Sequence, residues 1–116
     1  METALKEIAV LNQRAANVKA HGTSQYNAGW HEALDLRALL TISEAVARAA
    51  LHREESRGGH ARDDFQGERE DWGKVNLTLH KGPDGAMRLE TVPREPGPPE
   101  LVAIANANIE ELEKNG

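Results

Sequence analysis

The chain has 116 residues, a formal net charge of −5 and a pI near 5.5, so it lacks the clustered Lys and Arg that nucleic acid or anionic lipid would need. It has no cysteine, which excludes a disulfide, a cysteine zinc site and an iron–sulfur cluster of its own. Few aromatics, many alanines and no apolar run of about 20 residues indicate one small, mainly α domain without direct membrane insertion.

The first predicted element is an amphipathic helix over about 3–19. Its apolar residues recur at steps of three and four, which places them on one side of a helix; they are Leu5, Ile8, Leu11, Ala15 and Val18. We expect Gly22 to close this helix in a left-handed conformation, and a loop to run from there to about Gly29.

The second predicted element is one long helix over about 30–57, because this segment holds no Gly or Pro and is rich in good helix formers. It carries two apolar stripes, Leu34, Ala38, Ile42, Ala45 and Ala49 in one and Leu36, Leu39, Leu40, Val46 and Ala50 in the other. Since the first helix can cover only one stripe, we expect Leu36, Leu39, Leu40 and Val46 to include an exposed apolar patch.

The segment that follows the long helix changes period. Gly58-Gly59 is expected to end the helix, and alternating apolar residues on either side of Gly82–Gly85 predict a β-hairpin over about 74–92. Four prolines between 93 and 99 make a stiff connector, and a last helix is expected over about 99–113 with proline in its first turn.

Candidate chemistry is sparse. The pairs His31 and Asp35, and His60 with Asp63 and Asp64, have spacings that could hold a metal, but neither matches a specific ligand motif, and surface or capping histidines explain them better. No serine sits in a nucleophile elbow, and Gly58-Gly59 follows a helix, whereas a phosphate cradle precedes one. We therefore predict no catalytic, metal or cofactor-binding residue in this chain.

A cluster of charges lies at the expected end of the long helix. Arg53, Glu54, Glu55 and Arg57 are interpreted as a solvated helix end, where basic residues complement the helix dipole.

Several ordered blocks carry a resemblance to a known family. They are YNAGWHEALDLR at 26–37, SEAVARAAL at 43–51, ESRGGHARDDF at 55–65 and DWGKVNL at 71–77. Together they resemble the C-terminal domain of succinate dehydrogenase and fumarate reductase flavoproteins. L-aspartate oxidases share the Ser-Arg-Gly-x-His element and are the alternative family. Ala28, Gly59 and Gln66 depart from the usual pattern and leave the branch of the family open.

This resemblance implies an open helical bundle of the spectrin-repeat type with a small hairpin appendix. It implies a parent enzyme that binds FAD and interconverts succinate and fumarate by hydride transfer to the flavin, with catalytic residues upstream of this domain. We therefore expect the chain to lack flavin and activity, and Met1 to start a fragment. The direction of the parent reaction stays open, as do the quinone partner and the oligomeric state.

The resemblance also implies partners and a location. The expected partners are the upstream FAD-binding domain and the iron–sulfur subunit, in a cytoplasmic protein whose complex lies at the inner face of the cell membrane. The predicted interface residues are Trp30, Arg37, Arg57, Gly58, His60 and Arg62. For Arg57 and His60 the alternative is an internal cap that pins the following loop. An autonomous helical adaptor and a metal-dependent enzyme are the rival functions.

Overall fold

The structure, a computed structural model, describes residues 1–107. Its helices are α1 (Glu2–Ala15), α2 (Ala28–His52), α3 (Glu70–Gly73) and α4 (Pro99–Asn106), and its strands are β1 (Val75–Lys81) and β2 (Met87–Pro93). The prediction of a mainly α fold with a small β-hairpin is confirmed. The part of the last predicted helix beyond 107 lies outside the described residues.

Helices α1 and α2 pack against each other as an antiparallel pair. Leu5 at the start of α1 lines the same cavity as Leu51 near the end of α2, so the two helices run in opposite directions. On α2, Leu40 is 7% exposed and is the one buried apolar residue in the described part of the chain. The apolar core of this domain is therefore very small.

Helix α1 ends four residues earlier than predicted. The amides of Asn17 and Val18 donate to the carbonyls of Arg14 and Ala15, which tightens the last turn. The side chain of Asn17 also donates to the carbonyl of Gln13 at 3.3 Å, and such local bonds compete with helix continuation. Gly22 is left-handed as expected, with φ +92°, but it lies in the loop and does not close the helix.

Helix α2 begins at a well-formed cap. The Oδ1 atom of Asn27 accepts a hydrogen bond from the backbone N–H of Trp30 at 3.1 Å, which satisfies one free donor of the first turn. The Nδ2 atom of the same side chain donates to the carbonyls of His21 and Thr23 at 2.7 and 2.8 Å. Asn27 therefore fixes both the start of α2 and the path of the loop before it.

The end predicted for α2 was wrong. The helix stops at His52, five residues before Arg57, because Arg53 already has an extended backbone with φ −76° and ψ 111°. Gly58-Gly59 consequently does not end the helix. These two glycines form a separate tight turn after the helix. A buried charge network lies between the end of α2 and this turn, and it explains why the helix ends early.

The hairpin packs against α2 through one of its faces. Strands β1 and β2 are antiparallel, with Val75 opposite Pro93 and Lys81 opposite Met87. Alternate residues along β1 are partly buried, which is the pattern of a strand with one covered face. The Nε2 atom of His52 lies 3.2 Å from the hydroxyl of Thr91, which ties β2 to the end of α2.

One side of α2 remains largely uncovered by α1 and the hairpin, although Val46 at its edge lines a groove with Leu77 of β1. Leu39, Ile42 and Val46, at spacings of three and four, are 60, 61 and 63% exposed, and we call these three residues the outer stripe. The predicted apolar patch is therefore present. Its members differ in part, because Leu40 is buried and Ile42 comes from the other predicted stripe.

The chain is far from compact. Its radius of gyration is 20.8 Å, whereas a compact domain of this length has about 13 Å. Its accessible surface is 9341 Å², whereas a compact monomer of this mass exposes about 6,200 Å². Within residues 1–107, no helix is both long and apolar enough to cross a membrane.

The contrast between two leucines of α2 tests this fold. Leu40→Ala should lower the free energy of unfolding by about 2–4 kcal/mol, because it leaves a cavity in the small core. Leu34→Ala removes the same atoms from a position that is 55% exposed and should change the free energy of unfolding by less than about 0.5 kcal/mol. Urea unfolding of both variants is the measurement, and equal losses would contradict the packing described.

Candidate functional site

The segment that follows α2, residues 53–69, is called the corner. The side chain of Glu55 lies at its centre and is 0% exposed. Its carboxylate accepts hydrogen bonds from Nε of Arg57 at 3.0 and 3.2 Å, and from the backbone N–H of Arg69 at 2.9 Å. Arg53 also donates to it through Nη1. The prediction of a solvated charged helix end was therefore wrong, because a carboxylate with these donors is fully satisfied away from water.

These donors keep the buried carboxylate charged. The hydrogen bond from Arg57 is the largest influence on Glu55, and it outweighs burial, which alone would raise the pKa of a carboxyl group. With the further donors from Arg69 and Arg53, the pKa of Glu55 falls from 4.5 to about 2. Glu55 is therefore an anion throughout the physiological range of pH.

Arg57 links this carboxylate to the loop opposite. Its Nη1 donates to Glu68 at 2.8 Å and its Nη2 to the carbonyl of Arg69 at 3.0 Å. The hydrogen bond to Glu55 raises the pKa of Arg57 above its usual value. A β-carbon on Gly73 would lie 3.2 Å from Nη2 of Arg57, so glycine at 73 leaves room for this guanidinium.

Gly58 and Gly59 form a tight turn at the tip of the corner. The amide of Arg57 donates to the carbonyl of His60 at 2.9 Å, and the amide of His60 donates back at 3.0 Å. Gly58 has φ +57°, a conformation that other residues rarely adopt, yet no atom lies within 4 Å of the position of its β-carbon. The requirement for glycine at 58 is therefore conformational. The Nε2 atom of His60 lies 3.3 Å from the carbonyl of Arg53.

Arg62 caps the end of α2. Its Nη1 donates to the carbonyls of Ala50, Leu51 and Arg53 at 3.0, 2.8 and 3.2 Å, which are among the groups left without helical partners. Its Nε and Nη2 hold the carboxylate of Asp64 at 2.7 and 2.5 Å. The residue is 8% exposed. A cation at this position also complements the helix dipole.

Ser56 closes the loop between these arginines. Its hydroxyl oxygen accepts from the amide of Arg62 at 2.8 Å and lies 2.9 Å from the carbonyl of Phe65, to which it can donate. Its own amide donates to the carbonyl of Gly67 at 2.9 Å. The segment from Glu55 to Arg69 is thereby held by side chains and turns in place of regular structure.

The six predicted interface residues fall into two groups. Arg57, Gly58, His60 and Arg62 lie together in the corner, whereas Trp30 and Arg37 lie toward the other end of α2. The rise of the helix between Trp30 and His52 is about 33 Å. Trp30 is 38% exposed and Arg37 is also exposed. Arg62, in contrast, is buried and donates hydrogen bonds to groups within the chain. Their role as interface residues stays a prediction.

Sequence reasoning missed two residues of this molecule. The first is Glu55, because its charged neighbours in the sequence gave no sign that its side chain is buried. The other is Tyr26, which is 97% exposed and has φ +54° immediately before the cap of α2. Tyr26 lies four residues before Trp30 in the sequence, and exposed Tyr and Trp are frequent anchors of protein interfaces.

Two residues of the candidate metal pairs make other contacts. His60 contacts the carbonyl of Arg53, and Asp64 holds the guanidinium of Arg62. Within residues 1–107, no group of three His, Asp or Glu side chains is arranged to hold a metal ion.

Comparison with known proteins gives consistent matches. A family model described as the C-terminal part of fumarate reductase flavoprotein matches residues 1–112. The chain is 38% identical over 81 residues to a fumarate reductase (CoM/CoB) subunit of Methanothermobacter marburgensis, covering 70% of this chain and 15% of that protein. It is 35% identical over 104 residues to the succinate dehydrogenase flavoprotein subunit of Coxiella burnetii, covering 85% and 18%.

A third relative is the fumarate reductase flavoprotein subunit of Mycobacterium tuberculosis, 32% identical over 91 residues, which cover 78% of this chain and 16% of that protein. The chain therefore spans less than a fifth of the length of these curated relatives. The resemblance drawn from the sequence blocks is confirmed.

The depressed pKa of Glu55 predicts a specific pH dependence. A carboxylate with a lowered pKa stabilises the fold fully above its unfolded value, and this stabilisation is lost as the pH falls through the folded value. Glu55→Gln should therefore lower the melting temperature at pH 7, and its difference from the unsubstituted chain should shrink between about pH 4.5 and pH 2.

Thermal melting of both proteins across this range is the measurement. Glu90→Gln, on the exposed side of β2, serves as the control and should show little difference at any of these pH values. A difference between Glu55→Gln and the unsubstituted chain that does not depend on pH would contradict a charged, buried Glu55.

Proposed function

Since the chain belongs to the family of fumarate reductase flavoprotein C-terminal domains, we propose that it is a structural and interaction domain that docks on the flavin-binding part of its parent protein. In this proposal the parent interconverts succinate and fumarate through FAD, as the names of the relatives suggest. The chain itself supplies no catalytic group. Its role is to present a rigid surface, built on α2 and the corner after it.

The excess of surface carries this proposal. The chain exposes 9341 Å², about 3,000 Å² more than a compact monomer of its mass. A standard protein interface buries about 1,600 Å² in total, so the excess is large enough for more than one stable contact. A domain with one buried apolar residue among those described gains further stability when a partner binds it.

The docking surface in this proposal has two parts at the two ends of α2. The first is formed by the exposed Trp30, Leu34 and Arg37, together with the exposed Tyr26 in the loop that precedes α2. The second is the tip of the corner, where Arg57, Gly58 and His60 are only partly buried or exposed. Arg62 supports the second part from inside by capping the helix end.

Both parts are held in place before any partner arrives. Asn27 caps the start of α2 close to Trp30, and the Glu55 network fixes the direction of Arg57. Preorganised side chains lose less entropy on binding, which favours a docking role for them. In a flavoprotein complex the iron–sulfur subunit is the second proposed partner, and the complex would lie at the inner face of the cell membrane with this domain on the cytoplasmic side.

The described residues do not fit the flavin cofactor itself. A dinucleotide site needs a glycine-rich turn between a parallel strand and the start of a helix. In residues 1–107 the sheet is a two-stranded antiparallel hairpin, and Gly58-Gly59 turns between Arg57 and His60. We therefore assign flavin binding and the chemistry to the remainder of the parent protein.

Docking predicts a separation between assembly and intrinsic stability. In the full-length flavoprotein, Trp30→Ala combined with Arg37→Ala should reduce the ratio of flavin-bound to flavin-free protein by at least about tenfold, because exposed aromatic and arginine anchors contribute roughly 2 kcal/mol or more to interfaces. In the isolated chain the same pair should leave the melting temperature nearly unchanged. Flavin absorbance per polypeptide and thermal melting are the measurements.

Arg14→Ala provides a matched control, since Arg14 is an exposed arginine on α1 outside the proposed surface. It should alter neither property. Equal destabilisation of the isolated chain and the full protein by the Trp30 and Arg37 substitutions would show that these residues support the fold of the domain only.

The assignment of flavin to the remainder of the protein is tested on the isolated chain. Expressed alone, it should purify without visible flavin absorbance and without succinate or fumarate activity. Stoichiometric flavin in the purified chain would overturn this part of the proposal.

A further inference from the structure

Helix α4 stands on an extended arm and exposes its apolar side chains. Leu101, Val102 and Ile104 are 57, 40 and 56% exposed, although together they give α4 one of the most apolar surfaces of the chain. The arm, residues 94–98, contains Pro96 and Pro98 and has no regular structure. An apolar helix on a short proline-containing arm is a candidate for docking against a surface of its own chain.

The outer stripe of α2 is an apolar surface of matching size. Leu39, Ile42 and Val46 span about 10 Å along the helix axis, whereas the eight residues of α4 span about 12 Å. Leu101, Ile104 and Ala105 recur at steps of three and four, so they share one side of α4. Two helical surfaces with this spacing can interlock side chains as packed helices do.

The arm starts near the C-terminal end of α2, which is the end of the outer stripe at Val46. The amide of Arg94 donates to the carbonyl of Lys74 at 2.8 Å, and Arg94 lines the same cavity as Arg53, just past the end of α2. Arg53 follows Val46 by seven residues, which is two turns on the same side and about 10 Å along the axis. Five extended residues reach about 17 Å, so the arm is long enough to bring α4 onto Val46.

We propose that α4 folds back on the arm and covers the outer stripe of its own chain, antiparallel to α2, with Leu101 near Val46 and Ile104 near Ile42. A short tether raises the effective concentration of α4 at the stripe to the millimolar range, which favours this contact over the same contact with a second copy. The antiparallel direction also aligns the two helix dipoles favourably. This inference does not rest on docking to the flavin-binding part.

The absence of cysteine from the chain allows a direct test. Val46→Cys combined with Leu101→Cys should form a disulfide within one chain under mild oxidation. The control pair is Arg48→Cys with Leu101→Cys, since residue 48 is exposed at nearly the same height of α2 but faces away from the outer stripe. The first pair should react at least about tenfold faster than the control, because only it is brought together by docking.

Three results would overturn the proposal. Equal rates for the two pairs would show that α4 does not occupy the stripe. Disulfide-linked dimers as the main product would assign the stripe to a second copy. The arrangement with the arm extended has a radius of gyration of 20.8 Å, so a value for the unsubstituted chain in solution that is no smaller, measured by small-angle X-ray scattering, would show that the arm stays extended. The scattering result holds even if a cysteine variant folds poorly.

Discussion

The carboxylate of Glu55 is the constraint on which the corner after α2 depends. A buried anion is costly unless donors surround it, so Arg53, Arg57 and the amide of Arg69 must all stay close to it. To bring residue 55 inward, the chain has to leave the helix after His52. The early end of α2, the turn at Gly58 and the return of the loop to Arg69 all follow from this one charge.

The apolar contribution to the fold is small by comparison. Leu40 of α2 is buried, while much of the remaining apolar surface of α2 stays exposed. Buried ion pairs specify one arrangement more than they add stability, because their attraction is offset by the loss of hydration. The corner is therefore held in one arrangement, whereas the helices are sparsely packed. This combination suits a domain that packs against other parts of a larger protein.

Periodicity predicted the helices and the hairpin well, since apolar spacing reports which faces are covered. It failed at the end of α2. The segment 53–57 contains good helix formers without Gly or Pro, and only a tertiary contact, the burial of Glu55, overrides that local preference. The corner group of predicted interface residues is close together in space, and Trp30 and Arg37 form a separate group, because a 25-residue helix keeps its ends apart. Arg62 as a helix cap could have been suspected from a cation placed soon after a helix end, but its three carbonyl partners could not.

Hydrogen exchange compared between the isolated chain and the full-length flavoprotein tests docking most directly, because it reports protection residue by residue. We expect amides near Trp30 and Arg37, and those of the Gly58-Gly59 turn, to become more protected in the full protein. Amides around Leu40, which is already buried in the isolated chain, should change least. The same protection at Trp30, Arg37 and Gly58 in both proteins would contradict the claim that this domain docks through the ends of α2.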